Sequence, residues 1–310
     1  MNIDYFEPFS RAWSRMKIAL FKPFDLHKWF IIGFSAFLAR LAEGPRGSGS
    51  SSWRGDTSFR EFFDFPNKAW EWLMSHPGWF IGIVFIVIFL IILGVILIWL
   101  SSRGTFMFLD NVVHDRAEIA KPWKRYRREG NSLFLWRLCF ALICIGLFTS
   151  YAIFFFITAS NHYKSSSYEQ VSVVFMVAMV FISIISAIVI VYISMFLNNF
   201  VAPIMYKKNI KTTQAWSRFL SLFKRYPFHF ILYGLILFLL AILSVIAVAV
   251  AGLLTCCVGF LLLIIPYIGT VITLPIWYTF RAFSLEFLAQ FGPEYELFPP
   301  SGESSASAPA

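Results

Sequence analysis

The chain has 310 residues, of which 58% are hydrophobic and only 14% are charged. Soluble globular domains carry about a quarter charged residues. This composition and the mean hydropathy of +0.70 therefore exclude an ordinary soluble enzyme and indicate an all-α integral membrane protein. The net charge of +9 comes largely from residues near apolar segments, where positive charge sets topology or meets anionic headgroups. We therefore expect no nucleic-acid partner.

Four stretches contain the roughly 20 apolar residues that a helix needs to cross a bilayer. They are Trp79–Leu100, Leu133–Ala159, Val171–Leu197 and Phe228–Leu254. A weaker stretch, Trp29–Ala42, precedes them and is short for a crossing. Another, Val258–Phe280, follows them and contains Pro266 and Pro275, which must bend or break a helix. The sequence leaves open whether 253–267 is a loop, a re-entrant segment or part of the last span.

A short pattern occurs three times along the chain: Trp, then Arg two residues later, then a bulky apolar residue. The copies contain Trp13 and Arg15, Trp123 and Arg125, and Trp216 and Arg218. Such internal similarity predicts repeated structural units, here at about 9–101, 117–205 and 211–291. Each unit is expected to be an amphipathic interfacial helix followed by a hairpin of two spans. Because the first hairpin needs Trp29–Ala42 as a span, we predict six transmembrane helices.

Positive charge alternates between the connecting segments. Three segments are rich in Lys and Arg, with five in 1–28, seven in 101–132 and six in 203–227. The segments between them are poorer, with four in 43–78 offset by five acids, one in 160–170 and none in 253–257. The rich segments are expected to face the cytoplasm by the positive-inside rule. Both termini are therefore predicted to be cytoplasmic.

Polar composition sets the limits of the predicted domain. Residues 1–291 are expected to form a single membrane domain, with 43–78 as an extracytoplasmic loop. The segment 292–310 is rich in Ser, Pro, Ala and Glu, a composition that does not bury enough apolar surface to fold. We expect it to be a disordered cytoplasmic tail.

The three Trp-Arg helices share an amphipathic character. With a period of 3.6 residues, Trp13 lies on one face with Ala12 and Met16, while the cations lie on the other. Interfacial helices have this pattern, with cations directed at anionic headgroups. The predicted interfacial anchors are Trp13, Arg15, Trp123, Arg125, Trp216 and Arg218. Two interpretations stay open: the helices only orient each hairpin, or they also select anionic lipid.

One segment carries a family resemblance. The stretch Arg103–Leu138, RGTFMFLDNVVHDRAEIAKPWKRYRREGNSLFLWRL, resembles the hallmark segment of an uncharacterised family of bacterial multi-pass membrane proteins, a domain of unknown function. The segment Phe200–Tyr206, followed by a Trp-Arg helix, is similar to a pattern in membrane domains of glycerophosphodiester phosphodiesterases. The resemblance implies a multi-pass protein of the bacterial inner (cytoplasmic) membrane and supplies no catalytic residue.

Few side chains are arranged for chemistry. The five histidines are scattered, and the four cysteines lack metal-ligand spacing, so we expect no metal, no cofactor and no catalytic residue. Asp110 and His114 are four residues apart on a predicted helix, with Arg103 two turns earlier. They form either a polar face where the hairpins converge or a solvated helix end. The candidates for a polar cavity are Arg103, Asp110, His114, Asn198, Asn199 and Arg281.

These observations predict a non-enzymatic polytopic membrane protein that organises lipid or scaffolds a membrane partner. Its expected partners are the lipid bilayer and anionic phospholipid. The alternative is a lipid or small-molecule transporter, because transporters are often built from repeats with broken helices. A sealed bundle would favour the scaffold and a polar cavity would favour transport. A membrane-embedded enzyme comes third, and convergence of Asp110 and His114 with another titratable group would reopen that possibility.

Overall fold

The computed structural model describes residues 3–43, 71–164, 173–255 and 258–298. These residues form helices and no strand. In chain order the α-helices are α1 (Phe6–Phe21), α2 (Leu26–Arg40), α3 (Pro77–His114), α4 (Ala120–Arg125), α5 (Arg127–Lys164), α6 (Val173–Phe196), α7 (Ala202–Lys208), α8 (Thr212–Arg225), α9 (Pro227–Leu254), α10 (Val258–Ile264), α11 (Pro266–Ile272) and α12 (Leu274–Ala289). A π-helical segment, Leu197–Val201, joins α6 to α7. Most of the predicted loop 43–78, namely 44–70, lies outside the described residues.

Four helical stretches in the described part of the chain are long and apolar enough to cross a membrane. They are Pro77–His114, Arg127–Thr158, Val177–Lys208 and Pro227–Leu254. Large apolar side chains on them, including Phe85, Phe148 and Val245, are exposed. Water-soluble proteins rarely expose contiguous apolar surface on this scale, whereas lipid accepts it. These helices indicate a membrane protein, and they correspond to the four clear stretches in the sequence.

The two weaker stretches do not form single long helices. Helix α2 has 15 residues, which is about 22 Å at 1.5 Å per residue, against about 30 Å of bilayer hydrocarbon. The stretch Val258–Phe280 is divided among α10, α11 and α12. Pro266 begins α11, and Pro275 is the second residue of α12, positions where a missing N–H is tolerated. Six spans in three hairpins therefore stay a prediction.

The described residues fall into two compact units. The first lies within Met1–Ala42, Ile98–Trp136 and Tyr192–Ala310, and the second within Glu43–Leu97 and Arg137–Val191. The first and second predicted repeat units each contribute residues to both, whereas the third, 211–291, lies within the first unit. The prediction of one membrane domain built from three repeats is not tested by this division.

The core of the first unit contains α1 packed on α12. Ala12 and Met16 of α1 are fully buried, whereas Trp13 is 45% exposed. The apolar face of α1 is therefore covered by protein, and the indole of Trp13 lies outside it. A second part of the core is aromatic: Phe200 stacks on Phe219, with ring centroids 5.6 Å apart.

The two ends of the described chain meet in this unit. The backbone N–H of Asp4 donates to Gln290 Oε1 at 2.9 Å, and Gln290 Nε2 donates to the Asp4 carbonyl at 2.8 Å. The carboxylate of Glu286, 6% exposed, accepts from Arg15 Nε at 2.6 Å. The guanidinium of Arg15 also lies over the ring of Phe298, 3.9 Å from its centroid.

The predicted disordered tail begins with a folded segment in the described part of the chain. Pro293–Tyr295 form a 3₁₀ turn, and Tyr295, Leu297 and Phe298 are buried. These three apolar side chains are concentrated at the start of the tail, where they belong to the core, and disorder of 292–310 as a whole stays a prediction. Residues 299–310 lie outside the described part of the chain.

The second unit is held by polar contacts between two apolar helices. Tyr151 on α5 donates its hydroxyl to the Met179 carbonyl at 2.8 Å, and Ser183 on α6 donates to Tyr151 at 2.7 Å. In lipid, a polar side chain needs such partners because no water can replace them. The two hydroxyls therefore stabilise the contact between α5 and α6.

Candidate functional site

The structure brings three titratable side chains together around a fourth, Asp110, near the C-terminal end of α3. Asp110 is 7% exposed, and its Oδ1 accepts from the hydroxyl of Tyr206 at 2.7 Å and from that of Tyr126 at 3.2 Å. His114 Nδ1 lies 3.5 Å from the same oxygen and 3.2 Å from the Tyr206 hydroxyl. We call these four residues the Asp110 cluster.

The cluster joins a buried acid to a partly exposed base. The side chain of His114 is 36% exposed, against 10% for that of Asp110. Burial raises the pKa of Tyr126, so its phenol stays protonated at neutral pH and acts as a donor. Two phenols thus donate hydrogen bonds to one carboxylate oxygen, and an imidazole lies beside the same oxygen. Carboxylates and imidazoles are the side chains that general acid–base catalysis uses most often.

Neighbouring contacts fix the end of α3 that carries the cluster. Asn111 Oδ1 accepts from the backbone N–H of Glu118 at 3.2 Å, and Asp115 forms an ion pair with Lys28 at 2.9 Å. Asp115 has a φ of 52°, a left-handed conformation that Asp tolerates better than most residues. These contacts hold the chain that follows the end of α3 at His114.

Arg103, about 10 Å before Asp110 along α3 at 1.5 Å per residue, forms a separate site. The residue is 8% exposed, and its Nε is buried without a hydrogen-bond partner. Its Nη2 donates to Asn131 Oδ1 at 3.0 Å. The guanidinium carbon lies 4.6 Å from the ring centroid of Trp99 and 5.2 Å from that of Trp123.

The Arg103 charge is poorly compensated in the described part of the chain, where it forms no ion pair with a carboxylate. Removing an ion from water costs several kcal/mol even after the protein relaxes. A cation–π contact contributes about 0.5 to 2 kcal/mol, and Asn131 supplies only a neutral acceptor. The positive charge of Arg127 acts on Arg103 as well and adds repulsion. Gly130 leaves space for the arginine stem, because a Cβ there would lie 3.0 Å from Arg103 Cγ.

The predicted cavity residues are distributed over three places. Asp110 and His114 belong to the Asp110 cluster, and Arg103 lies at its own site. Arg281 Nη1 donates to the Asn198 carbonyl at 2.7 Å, and its guanidinium carbon lies 5.8 Å from the ring centroid of Phe108. Asn199 is half-buried in the π-helical segment. A cavity shared by all six residues stays a prediction.

The predicted anchors differ in their surroundings. Arg15 pairs with Glu286, whereas Arg125 and Arg218 are exposed and form no ion pair among the described residues. Trp123 packs edge-on against Trp99, with centroids 5.8 Å apart. Trp216 stacks on Trp136 at 5.3 Å. Trp136 and Trp216 line an open groove of about 510 Å³ beside α8. The other lining residues are Thr213, Ser217, Leu220, Ser221 and Lys224.

Sequence reasoning missed Tyr126 and Tyr206 as members of the Asp110 cluster. Tyr206 is 96 residues from Asp110 in the chain, so no local spacing relates them. Tyr126 is only 16 residues away and occupies the bulky apolar position of the second Trp-Arg copy. The available signal was a tyrosine at this position of a basic segment. Its hydroxyl is absent from Met16 and Phe219, which occupy the same position in the other two copies.

Comparison with known proteins provides a family. No curated protein and no solved structure matches the chain. Residues 4–274 match the family of unknown function DUF7544. This match does not bear on the similarity to glycerophosphodiester phosphodiesterase membrane domains or on bacterial origin, and both stay predictions. Since the match covers most of the 310 residues, the chain belongs to DUF7544, a family whose function is unknown.

Proposed function

We propose that this chain is a non-enzymatic multi-pass protein of the bacterial inner membrane that associates with anionic phospholipid and organises lipid or scaffolds a membrane partner. In this proposal it has six transmembrane helices in three hairpins, and both termini are cytoplasmic. Apolar helices of membrane length support the membrane part of the proposal. The lipid part needs a separate argument from charge.

The observation that carries the lipid association is the exposure of unpaired cations on the second and third Trp-Arg helices. Arg125 on α4 and Arg218 on α8 are exposed and form no ion pair in the described part of the chain. Each helix directly precedes a long apolar helix, α5 or α9. Cations beside the end of an apolar helix interact favourably with anionic headgroups, at about 1 kcal/mol per residue.

The lipid association is tested by mass spectrometry of lipids that co-purify with the full chain. We expect anionic phospholipid to be enriched over its share of the membrane. The double variant Arg125→Gln with Arg218→Gln should reduce the enrichment. Arg116→Gln is the matched control, because Arg116 is also exposed and basic but lies outside the Trp-Arg helices. Retention of bulk phospholipid only, unchanged in the double variant, contradicts the proposal.

The topology is tested by cysteine labelling from one side of the membrane. Cys139, Cys144, Cys256 and Cys257 are first replaced by alanine, and single cysteines are then placed in the 43–78 loop and after residue 299. We expect the two sites to react from opposite sides. Labelling of both sites from the same side refutes the six-span arrangement.

A transporter of lipid or small molecules is the second candidate. The observation that favours it is the π-helical segment Leu197–Val201 within the apolar stretch Val177–Lys208, because π-helical turns inside helices are frequent at functional sites. Asn198 in this segment contacts Arg281 of α12. Reconstituted vesicles that move a labelled phospholipid between leaflets only when they contain the protein would support this candidate. Equal movement in protein-free vesicles would contradict it.

A further inference from the structure

Arg103 is a buried cation for which the described residues provide no counter-anion. Its Nε has no hydrogen-bond partner, and the acceptor of its Nη2, Asn131, is neutral. Glu129 is a nearby acid on α5 and is buried, but it forms no ion pair with Arg103 in the described part of the chain. Buried charges in proteins are normally paired or bound to a ligand, so the geometry points to an anion-binding site.

A second cation strengthens this conclusion. Arg127 lies one helical turn before Asn131 on α5, and Asn131 is the residue that accepts from Arg103. The positive charge of Arg127 therefore adds to that of Arg103 at the same place, and a bound anion would offset the repulsion between them. Guanidinium groups match phosphate oxygens in geometry and bind them with charge-assisted hydrogen bonds. The chemistry of the donors therefore favours a phosphate group.

The position of the site along α3 indicates where this phosphate comes from. Trp79–Leu100 contains no charged residue, and Arg103 follows it by three residues, about 4.5 Å along a helix. Trp99 lies one helical turn before Arg103, and Trp123 packs against Trp99. Tryptophan is enriched at the level of the headgroups, so an arginine that contacts two indoles directly after an apolar segment lies where lipid phosphates lie.

We propose that Arg103 and Arg127, with Trp99, Trp123 and Asn131, form a binding site for the phosphate of an anionic phospholipid headgroup. Arg103 donates hydrogen bonds to the phosphate oxygens, and Arg127 contributes the second charge. Asn131 and the two indoles hold the guanidinium in place. The proposal rests on the lipid association proposed above and assigns it a specific site. A free phosphate ion offers the same chemistry, so the experiment separates the two sources.

The test is the thermal unfolding of the detergent-solubilised full chain with increasing ligand. The ligands are dioleoyl phosphatidic acid, dioleoyl phosphatidylcholine as the zwitterionic reference, and inorganic phosphate. We expect phosphatidic acid to raise the unfolding temperature of the wild type to a plateau, with phosphatidylcholine raising it much less. Arg103→Gln should abolish the saturable rise, and Arg103→Lys should keep part of it.

The neighbouring arginines on α5 provide a matched pair of variants. Arg127 and Arg128 are adjacent and exposed, so both glutamine variants make the same charge change and neither opens the core. Arg127→Gln should increase the concentration of phosphatidic acid that gives half of the rise in unfolding temperature. The expected increase is about tenfold, equivalent to about 1.4 kcal/mol. Arg128→Gln should change it little. This pair keeps the test decisive even if Arg103→Gln folds poorly.

Each result has a defined meaning. The site is refuted if Arg127→Gln behaves like Arg128→Gln, or if Arg103→Lys and Arg103→Gln bind as the wild type does. If anionic lipid co-purifies but none of these variants changes its binding, the lipid association stands and this site fails. If only inorganic phosphate gives an Arg103-dependent plateau and no lipid is enriched, the phosphate site stands and the lipid association fails.

Discussion

Replacing Tyr206 by phenylalanine removes one hydroxyl from the Asp110 cluster and keeps the ring. That hydroxyl donates to Asp110 Oδ1 at 2.7 Å and lies 3.2 Å from His114 Nδ1. Tyr206 is buried, so water has little access to the oxygen that loses its donor. Asp110 would keep the hydroxyl of Tyr126, which lies 3.2 Å away.

The distances set the size of the effect. A hydrogen bond to a charged group contributes about 1.5 to 3 kcal/mol, and the shorter of the two bonds belongs to Tyr206. We expect Tyr206→Phe to lower the free energy of unfolding by about 2 kcal/mol and Tyr126→Phe to lower it by about 1 kcal/mol. Because both hydroxyls donate to one oxygen, the double variant should lose more than the sum of the two, by at least about 0.5 kcal/mol.

Unfolding by sodium dodecyl sulfate in mixed micelles measures these differences for the full chain. Tyr192→Phe is the control, because the Tyr192 hydroxyl donates to a backbone carbonyl at 3.3 Å and forms no hydrogen bond with a charged group among the described residues. The reasoning is refuted if Tyr206→Phe unfolds within about 0.5 kcal/mol of the wild type, or if the two single effects simply add.

Two further predictions concern α3 and the C-terminal segment. Gly104→Ala should destabilise the chain by more than about 2 kcal/mol, because a Cβ at Gly104 would lie 2.6 Å from the Ala39 nitrogen. At Gly94 nothing lies within 4 Å, so Gly94→Ala should be neutral or stabilising in the same unfolding assay; similar losses in both variants contradict the contact. A hydrogen bond from Lys208 lowers the pKa of Glu294, so the stability from this pair is present above the ordinary glutamate pKa and is lost as the pH falls through the lowered folded-state pKa. The unfolding temperature measured over an acid titration should lose this contribution in Lys208→Gln. A pH profile identical to that of the wild type contradicts the prediction.

Hydropathy was sufficient for the four long apolar helices, because a membrane span is encoded within one continuous segment. Contacts between distant segments were not accessible in this way. Arg15 and Glu286 are 271 residues apart, and the tertiary fold alone brings them together. Helical period correctly placed Ala12 and Met16 on one face of α1, but it also included Trp13, which is exposed. The face of α1 that the protein covers includes Ala12 and Met16 and is too narrow to include Trp13.

Around Asp110, too, the sequence predicted the local contact and not the contacts with distant segments. Its spacing from His114 predicted a polar pair on one helix, and the structure contains that pair. The two tyrosines that satisfy the carboxylate come from α7 and from the residue between α4 and α5, so the sequence pattern could not reveal them. Convergence with another titratable group was the condition under which catalysis would be reconsidered, and the cluster meets that condition. Activity of the chain toward a substrate is untested, and the expectation of no enzyme stays a prediction.

The paired hydrogen bonds between Asp4 and Gln290 have a consequence for counting membrane crossings. Two residues in direct contact lie on the same side of any bilayer that the chain crosses between them. The number of crossings from residue 4 to residue 290 must therefore be even. Four crossings and six both satisfy this parity, and five do not. If each of the four long apolar helices crosses once, Trp29–Ala42 and Val258–Phe280 either both cross the membrane completely or neither does.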